Sequence, residues 1–432
     1  MIVHRVPALC VYLLASACLG PVARWHLGRR LKHGKEDPAR WREKTGMSSF
    51  ARPAGPLVWM HAVGVGEVLA LPALVAAMRR QRPGLSVLIT SSSRTSALAL
   101  APNMPEGALH QFLPLDVGAF RQAFLDHWQP DLAIWAERDI WPGLVDDCAR
   151  RGIPQLLING RMNAASFRAK SWSFGLFSGL YRQLRSIGAQ DAETVRHFAA
   201  LGYPADRITL DGSLKAGAEP LADLPARPAW EQALQGRFIW LAASTHPGDE
   251  AEVIAAHATL LQHKPEACLI IAPRDPARAG AVSAALHTAG IAARIAGRLP
   301  EQSDTPPVSA YVVPRIGELG LWYRLAPVAL VGGSIAAVGG HNPYEPARLG
   351  AAILHGPHVG NFAAAYDAFH HRAAARLVRN AAELAHALSD PTLSDQIAPA
   401  GEVALAGRAG LEKVASRLVA ALDAKGGAHA TI

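Results

Sequence analysis

The residues best suited to chemistry stand just after apolar runs. Glu67 follows such a run in "WMHAVGVGEVLALPALV" (59–75), behind a G-x-G turn. A carboxylate where a strand becomes a helix is kept ionised by the helix dipole. Ionised and facing a ligand, it can take a proton from an attacking hydroxyl. The plainer alternative is a carboxylate that only caps the helix. Glu137 opens "ERDIWPG" (137–143), and Lys215 stands in "LDGSLKAG" (210–217). A cation there suits a phosphate, though taken alone it reads as a solvated loop lysine. The richest stretch is "VGGSIAAVGGHNPYEPARLG" (331–350). Its glycines let backbone N–H groups approach a ligand. Asn342 precedes Pro343, a residue favoured at the first helical position. A helix starting there turns its N-terminus toward an anion. Glu345, one residue past Tyr344, suits ribose hydroxyls or a base edge rather than a phosphate.

Several chemistries are disfavoured. "VGVGEV" lacks the third glycine of the dinucleotide fingerprint, and no Walker loop is present. No Asp-x-Asp pair offers a divalent-metal site, and Glu137 with Asp139 is a weak substitute. His61, His246 and His341 have the wrong spacing for a metal and read as structural or hydrogen-bonding groups. The expectation is no metal and no cofactor. Four cysteines without a C-x-x-C pair read as buried thiols in a reducing compartment. The net charge of +8 suits an acidic partner without choosing among phosphate, nucleic acid and anionic lipid.

Alternating strands and helices must position these residues. Strands are predicted at 56–63, 85–93, 109–116, 130–137 and 154–160, with helices at 66–81, 94–102, 119–128 and 141–152. Residues 216–236, rich in Ala and Pro, read as a linker. The alternation then restarts with strands at 237–244, 267–274, 326–334 and 351–357, and a last helix covers 402–424. Apolar strands alternating with helices predict parallel sheets covered on both faces. The chain, 432 residues and half hydrophobic, is long enough for two such domains. Ligands of these folds bind beyond the carboxyl ends of the strands. Glu67, Glu137, "NGR" (159–161), "STH" (244–246), "PRD" (273–275) and "GGS" (332–334) all follow strands, which predicts one shared cleft.

Residues 6–23 are almost wholly apolar and precede Arg24, Arg29, Arg30, Lys32 and Lys35. The run is borderline for a bilayer span. The basic cluster behind it opposes export. A retained membrane anchor is expected ahead of a cleaved signal or an interfacial or core helix.

Together these stretches resemble the 3-deoxy-D-manno-octulosonic acid (Kdo) transferase family. The likeness runs through "GKEDPARWREKTG" (34–46), "WMHAVGVGE" (59–67), "ERDIWPGL" (137–144), "NGRMNAASFR" (159–168), "AASTHPGDE" (242–250), "APRDP" (272–276), "IGEL" (316–319), "GGHNPYEPARLG" (339–350) and "GPHVGNF" (356–362). It implies a GT-B fold: two doubly wound Rossmann-like α/β domains facing a cleft, behind an N-terminal membrane-anchor helix. Anchor and basic segment take residues 1–45, an acceptor-binding domain 46–215, the linker 216–236, and a CMP-sugar-binding domain 237–432. The implied activity is inverting transfer of Kdo from CMP-Kdo to a lipid A precursor in lipopolysaccharide synthesis, without metal or nucleic acid, at the inner membrane with the catalytic domains cytoplasmic. The resemblance makes Glu67 the base and Glu137 and Lys215 transition-state stabilisers. It places CMP contacts on Pro273, Arg274, Ile316, Gly317, Glu318, Asn342, Pro343, Tyr344 and Glu345. Family residues are replaced at Gly64 (Ser), Gly143 (Asn), Gly217 (Asp), Asp275 (His) and Arg315 (Thr). Two other readings stay open: a GT-B transferase of another nucleotide sugar, and an inactive membrane-anchored relative that binds lipid A.

Overall fold

The computed structural model describes residues 5–137, 140–297 and 308–429. The chain divides into two compact units, Met1–Ala218 with Arg408–Ile432, and Glu219–Gly407.

The first unit is built on a seven-stranded parallel sheet. Its strands are β1 (Leu57–Ala62), β2 (Ser86–Ser91), β3 (Leu109–Phe112), β4 (Leu132–Ala136), β5 (Gln155–Gly160), β6 (Ser186–Ala189) and β7 (Ile208–Leu210), in the order β3-β2-β1-β4-β5-β6-β7. All six residues of β1 are buried because helices cover both faces. Val58, Met60 and Ala62 share one core with Leu71, Leu74, Val75 and Met78 of helix Leu71–Gln81. Leu57 and Trp59 share the other with Phe124 and Trp128 of helix Gly118–Trp128. The three indoles buried in this unit each have a hydrogen-bond acceptor, as buried indoles usually do. Trp59 donates to Thr90 Oγ1 at 2.9 Å, Trp128 to Gln111 Oε1 at 2.8 Å and Trp135 to Gln155 Oε1 at 3.0 Å.

The second unit carries β8 (Phe238–Thr245), β9 (Ala267–Pro273), β10 (Ala293–Ile295), β11 (Ala310–Val312), β12 (Val328–Val331), β13 (Ala352–His355) and β14 (Ala375–Leu377). They form a parallel sheet in the order β10-β11-β9-β8-β12-β13-β14. Both sheets are doubly wound, consistent with a GT-B glycosyltransferase fold. The chain reverses direction across each sheet between β1 and β4, and between β8 and β12. Those switch points open crevices at the strand ends where ligands bind in such folds.

The structure corrects the sequence reading at the linker and at the last helix. Residues 227–233 of the expected linker form a helix, and Trp230 packs edge-on against Tyr311 and Trp322, at 5.1 and 5.0 Å between ring centroids. The last helix is longer, Ile397–His429: to Gly407 it belongs to the second unit, where Ile397 packs on the core, and from Arg408 on to the first. Its Leu411, Val414, Ala415, Leu418 and Leu422 join the first unit's core, and Arg417 pairs with Asp211 at 2.5 Å.

The N-terminal run is two helices rather than one. Helices Pro7–Cys18 and Gly20–Lys32 meet at a 64° bend, and among the described residues no single helix is long and apolar enough to cross a membrane. The first helix is docked on its own domain. Leu9 is fully buried with Val6 and Leu13 beside it, Arg5 pairs with Asp146, and Tyr12 donates to Asp116 Oδ2 at 2.6 Å. Its opposite side is exposed, with Val11 at 67% and Leu14 at 72%. Cys148 and Cys268 are buried, whereas Cys10 and Cys18 are exposed.

Candidate active site

In the first unit, the β1 and β4 ends deliver two carboxylates to the switch point. Glu67 lies in the short helix Val65–Val68. Its Oε2 accepts from the N–H groups of Val63 (2.9 Å) and Gly64 (3.0 Å). Capping is therefore realised through one oxygen. Glu137 follows β4 with φ +63°, a left-handed conformation unusual for a side-chain-bearing residue. Its N–H donates to Ile158 O at 3.0 Å, which fixes the turn to β5. Lys215, in the 3₁₀ turn Leu214–Gly217, brings Nζ to 4.0 Å from Glu137 Oε1. The same Nζ lies 3.3 Å from where a Cβ on Gly66 would stand. Gly66, adjacent to Glu67, thus leaves room for the ammonium group. Glu67, Glu137 and Lys215, some 150 residues apart from first to last in sequence, meet at one place. Arg138 and Asp139 lie outside the described residues.

Asn159, near the end of β5, organises this cluster, a role that "NGR" (159–161) does not announce. It is 2% exposed and also left-handed, with φ +54°. Its Nδ2 donates to Glu137 Oε1 at 3.1 Å, and its Oδ1 accepts from Leu214 N–H at 3.0 Å. One amide therefore holds both the Glu137 turn and the Lys215 turn. Strained backbone of this kind persists where the surroundings enforce it, often at functional sites. His61 stabilises the same region from within. Trp141 Nε1, which can only donate, points at His61 Nε2 at 3.2 Å, so the histidine proton sits on Nδ1, facing Thr90 O at 3.1 Å. Burial depresses the His61 pKa to about 3, so the ring stays neutral.

The second unit gathers its polar groups at the ends of β8, β9 and β12. Pro273 ends β9, and Arg274 N–H donates to Thr245 O at 2.9 Å, locking the β9 end to β8. Asp249 governs the glycine-rich turn. Its carboxylate is fully buried and accepts four backbone N–H groups, from His246 (2.9 Å), Gly333 (2.7 Å), Ile335 (3.0 Å) and Ala336 (2.9 Å). The capping pattern "HPGD" was its sequence signal.

The helix expected at Pro343 begins at Tyr344 and runs only to Arg348. Asn342 Oδ1 already accepts Tyr344 N–H at 3.1 Å, and its Nδ2 donates to Glu345 Oε1 at 3.2 Å. Burial raises the Glu345 carboxyl pKa, while Asn342, Arg348 and Arg274 pull it the other way. Ile316 is exposed and Gly317 has φ +97°, whereas Glu318 is mostly covered and paired with Arg315 at 2.7 Å.

The relatives decide the family. A probable mitochondrial 3-deoxy-D-manno-octulosonic acid transferase of Arabidopsis thaliana is 32% identical, over 82% of this chain and 80% of its own. The 3-deoxy-D-manno-octulosonic acid transferase of Bordetella pertussis is 33% identical, over 85% of this chain and 87% of its own. The chain belongs to the Kdo transferase family. The family model for 3-deoxy-D-manno-octulosonic-acid transferase (kdotransferase) matches residues 39–218. Among solved structures, UDP-GlcNAc 2-epimerase from Neisseria meningitidis is similar with a TM-score of 0.56 at 10% identity, over 84% of this chain and 99% of its own, a likeness of fold alone.

Within a Kdo transferase, some replaced residues have physical explanations. A Cβ on Gly143 would run into the Arg121 guanidinium, which pairs with Asp147 at 2.7 Å. A Cβ on Gly217 would run into Leu411 of the last helix. At position 64, a Cβ would stand 3.4 Å from Glu67 Oε1, so glycine leaves that oxygen uncovered on this side.

Replacing Asn159 by Ala removes the Glu137 donor and strands the Leu214 N–H. The expected cost is about 1–3 kcal/mol of stability in thermal melts. Transfer turnover should fall at least about tenfold with a smaller change in KM, because positioning is lost rather than binding.

Proposed function

We propose that this chain is an inverting glycosyltransferase that moves Kdo from CMP-Kdo to a lipid A precursor, in the synthesis of lipopolysaccharide. The convergence of Glu67, Glu137 and Lys215 at one sheet switch point, in a chain of this family, supports the reading most. Glu67 acts as the base, through the carboxylate oxygen not engaged by Val63 and Gly64. It takes the proton of an acceptor hydroxyl. That oxygen bonds to the anomeric carbon of Kdo, the anomeric C–O bond to phosphate breaks with inversion, and CMP leaves with the electron pair. Lys215, kept oriented by Glu137 and by the Asn159-held turn, supplies positive charge for the departing phosphate. Pro273, Arg274, Ile316 to Glu318 and Asn342 to Glu345 take the nucleotide. The mechanism uses no metal or cofactor. Donor choice tests the reading: CMP-Kdo should support transfer, and product formed only from another nucleotide sugar would favour the alternative donor class.

The bent helix pair is read as an interfacial attachment to the cytoplasmic face of the inner membrane, in place of a span. Val11, Leu14, Leu19, Val22 and Trp25 are exposed, and Arg24, Arg29, Arg30 and Lys32 follow on the second helix. Trp172 (84%) and Phe174 (93%) are also bare, just before Gly175, which approaches Val6. Apolar side chains beside a basic segment suit anionic headgroups. Val11→Glu with Leu14→Glu should weaken sedimentation with anionic vesicles by about tenfold or more, and leave transfer to a detergent-dispersed acceptor unchanged. Equal sedimentation of variant and wild type would count against this attachment.

A further inference from the structure

Two histidines of the second unit meet beyond the ends of β8 and β12. His246 Nε2 lies 3.1 Å from His341 Nε2, with the rings 11° from parallel and their centroids 5.3 Å apart. That separation is the nitrogen–nitrogen contact plus about one ring radius on either side. The rings therefore lie end to end, nearly in one plane, and are not stacked face to face. The contact is an N–H···N hydrogen bond in which one Nε2 carries the proton and the other accepts it.

Such a pair has a defined proton capacity. One added proton goes to Nδ1 of the donating ring and leaves the bond intact, now with a charged donor. A second would set two N–H groups against each other and break it. Arg274 from the β9 end and Asp249 from helix Pro247–Leu261 face His341, the first opposing a positive charge there and the second favouring it. Burial is the largest influence and lowers His341 to about 4, so its ring is neutral at neutral pH in the free protein. Gly333, with φ +65°, lies behind the rings, where an added Cβ would stand 3.1 Å from His341. The turn organised by Asp249 thus closes directly on the pair.

We propose that the His246–His341 pair is the proton-accepting part of a phosphate site in the second unit: it takes one proton from solvent when a phosphate-bearing ligand binds, and returns it on release. The inference rests on the reading of this unit as nucleotide-binding. In the transfer reaction, breaking the anomeric C–O bond leaves the electron pair on a phosphate oxygen and turns a diester monoanion into a monoester dianion. The proton held by the pair offsets that added charge, while the acceptor's own proton goes to Glu67.

Calorimetric titration of the full chain at pH 7.5, with CMP and separately with inorganic phosphate, tests this in buffers of different ionisation enthalpy. At that pH CMP, a phosphate monoester with a second pKa of about 6, is already mostly dianionic, so its uptake reports on the protein, whereas for inorganic phosphate, still partly monoanionic, the part of the uptake lost in the two variants does. Uptake of roughly half a proton or more per site is expected for wild type, by linkage. It should vanish in both His246→Gln and His341→Gln, with CMP affinity reduced about tenfold. Binding of CMP without buffer dependence overturns the pair's role while leaving the nucleotide reading intact. Phosphate binding with uptake but no CMP binding does the reverse. No binding of either ligand, or undiminished uptake in both variants, overturns the proposal. The wild-type titrations decide even if a variant fails to fold.

Discussion

Glu67→Gln should lower transfer turnover by roughly 10²- to 10⁴-fold, the range lost when a positioned general base is removed. The substitution is clean for a structural reason. Oε2 of Glu67 accepts the Val63 and Gly64 N–H groups. A glutamine carbonyl oxygen can accept the same two bonds, so the turn after β1 keeps its cap. What glutamine cannot do is take a proton. Melting temperature and CMP affinity should therefore stay close to wild type while kcat collapses. Glu67→Ala is less informative, because it also leaves both N–H groups without their acceptor, at about 1–3 kcal/mol each if they stay dry. If Glu67→Gln turns over like wild type, Glu67 is a cap and nothing more.

The largest loss of stability is expected for Asp249→Ala. Four backbone N–H groups converge on this one buried carboxylate. Alanine leaves all four without it in a turn that has little room to rearrange. Even if water rescues some of them, the cost should exceed about 3 kcal/mol. For a unit of this size that corresponds to a fall of roughly 6–12 °C in its melting transition. CMP binding should weaken in parallel, because Gly333, Ile335 and Ala336 shape the turn beside His341. Asp249→Asn keeps one acceptor oxygen and should fall between wild type and alanine. Thermal melts with and without CMP check both effects. Wild-type stability in Asp249→Ala would mean that the turn holds itself.

Glu67 and Glu137 stand out because each ends an apolar run at a turn, and period and turn chemistry are local. The parallel α/β character was legible for the same reason. Lys215 in "LDGSLKAG" reads by itself as a solvated loop lysine, and only the resemblance gives it a role. Asn159 was hidden. Its importance comes from contacts with Glu137 and Leu214, distant in sequence, and from a left-handed backbone that "ING" does not announce. Strands such as "SIGA" (186–189), "ITL" (208–210) and "ARI" (293–295) are too short to show a period, so the sheets contain more strands than the sequence suggested. In the N-terminal run, composition shows the apolar stretch but not the bend that divides it into two helices. Hydropathy cannot tell a Leu9 that enters a domain core from a Leu14 that faces outward, and the ion pair of Arg5 with Asp146 spans 141 positions. The last helix was assigned to the nearer domain because periodicity does not say which core a helix joins.

The replaced family residues fit the same logic. Arg121 fills the space beside Gly143, and Leu411 packs against Gly217. Both glycines leave room for a neighbouring side chain that a Cβ would meet.

The most direct test is to incubate the purified chain with CMP-Kdo and a tetra-acylated lipid A precursor, and to read the lipid's mass. The expected result is a lipid heavier by one or more Kdo residues, with an equal amount of CMP released, and almost none of either from Glu67→Gln. An unchanged lipid mass with the wild-type chain, at protein concentrations where CMP binding is saturated, would contradict the assignment.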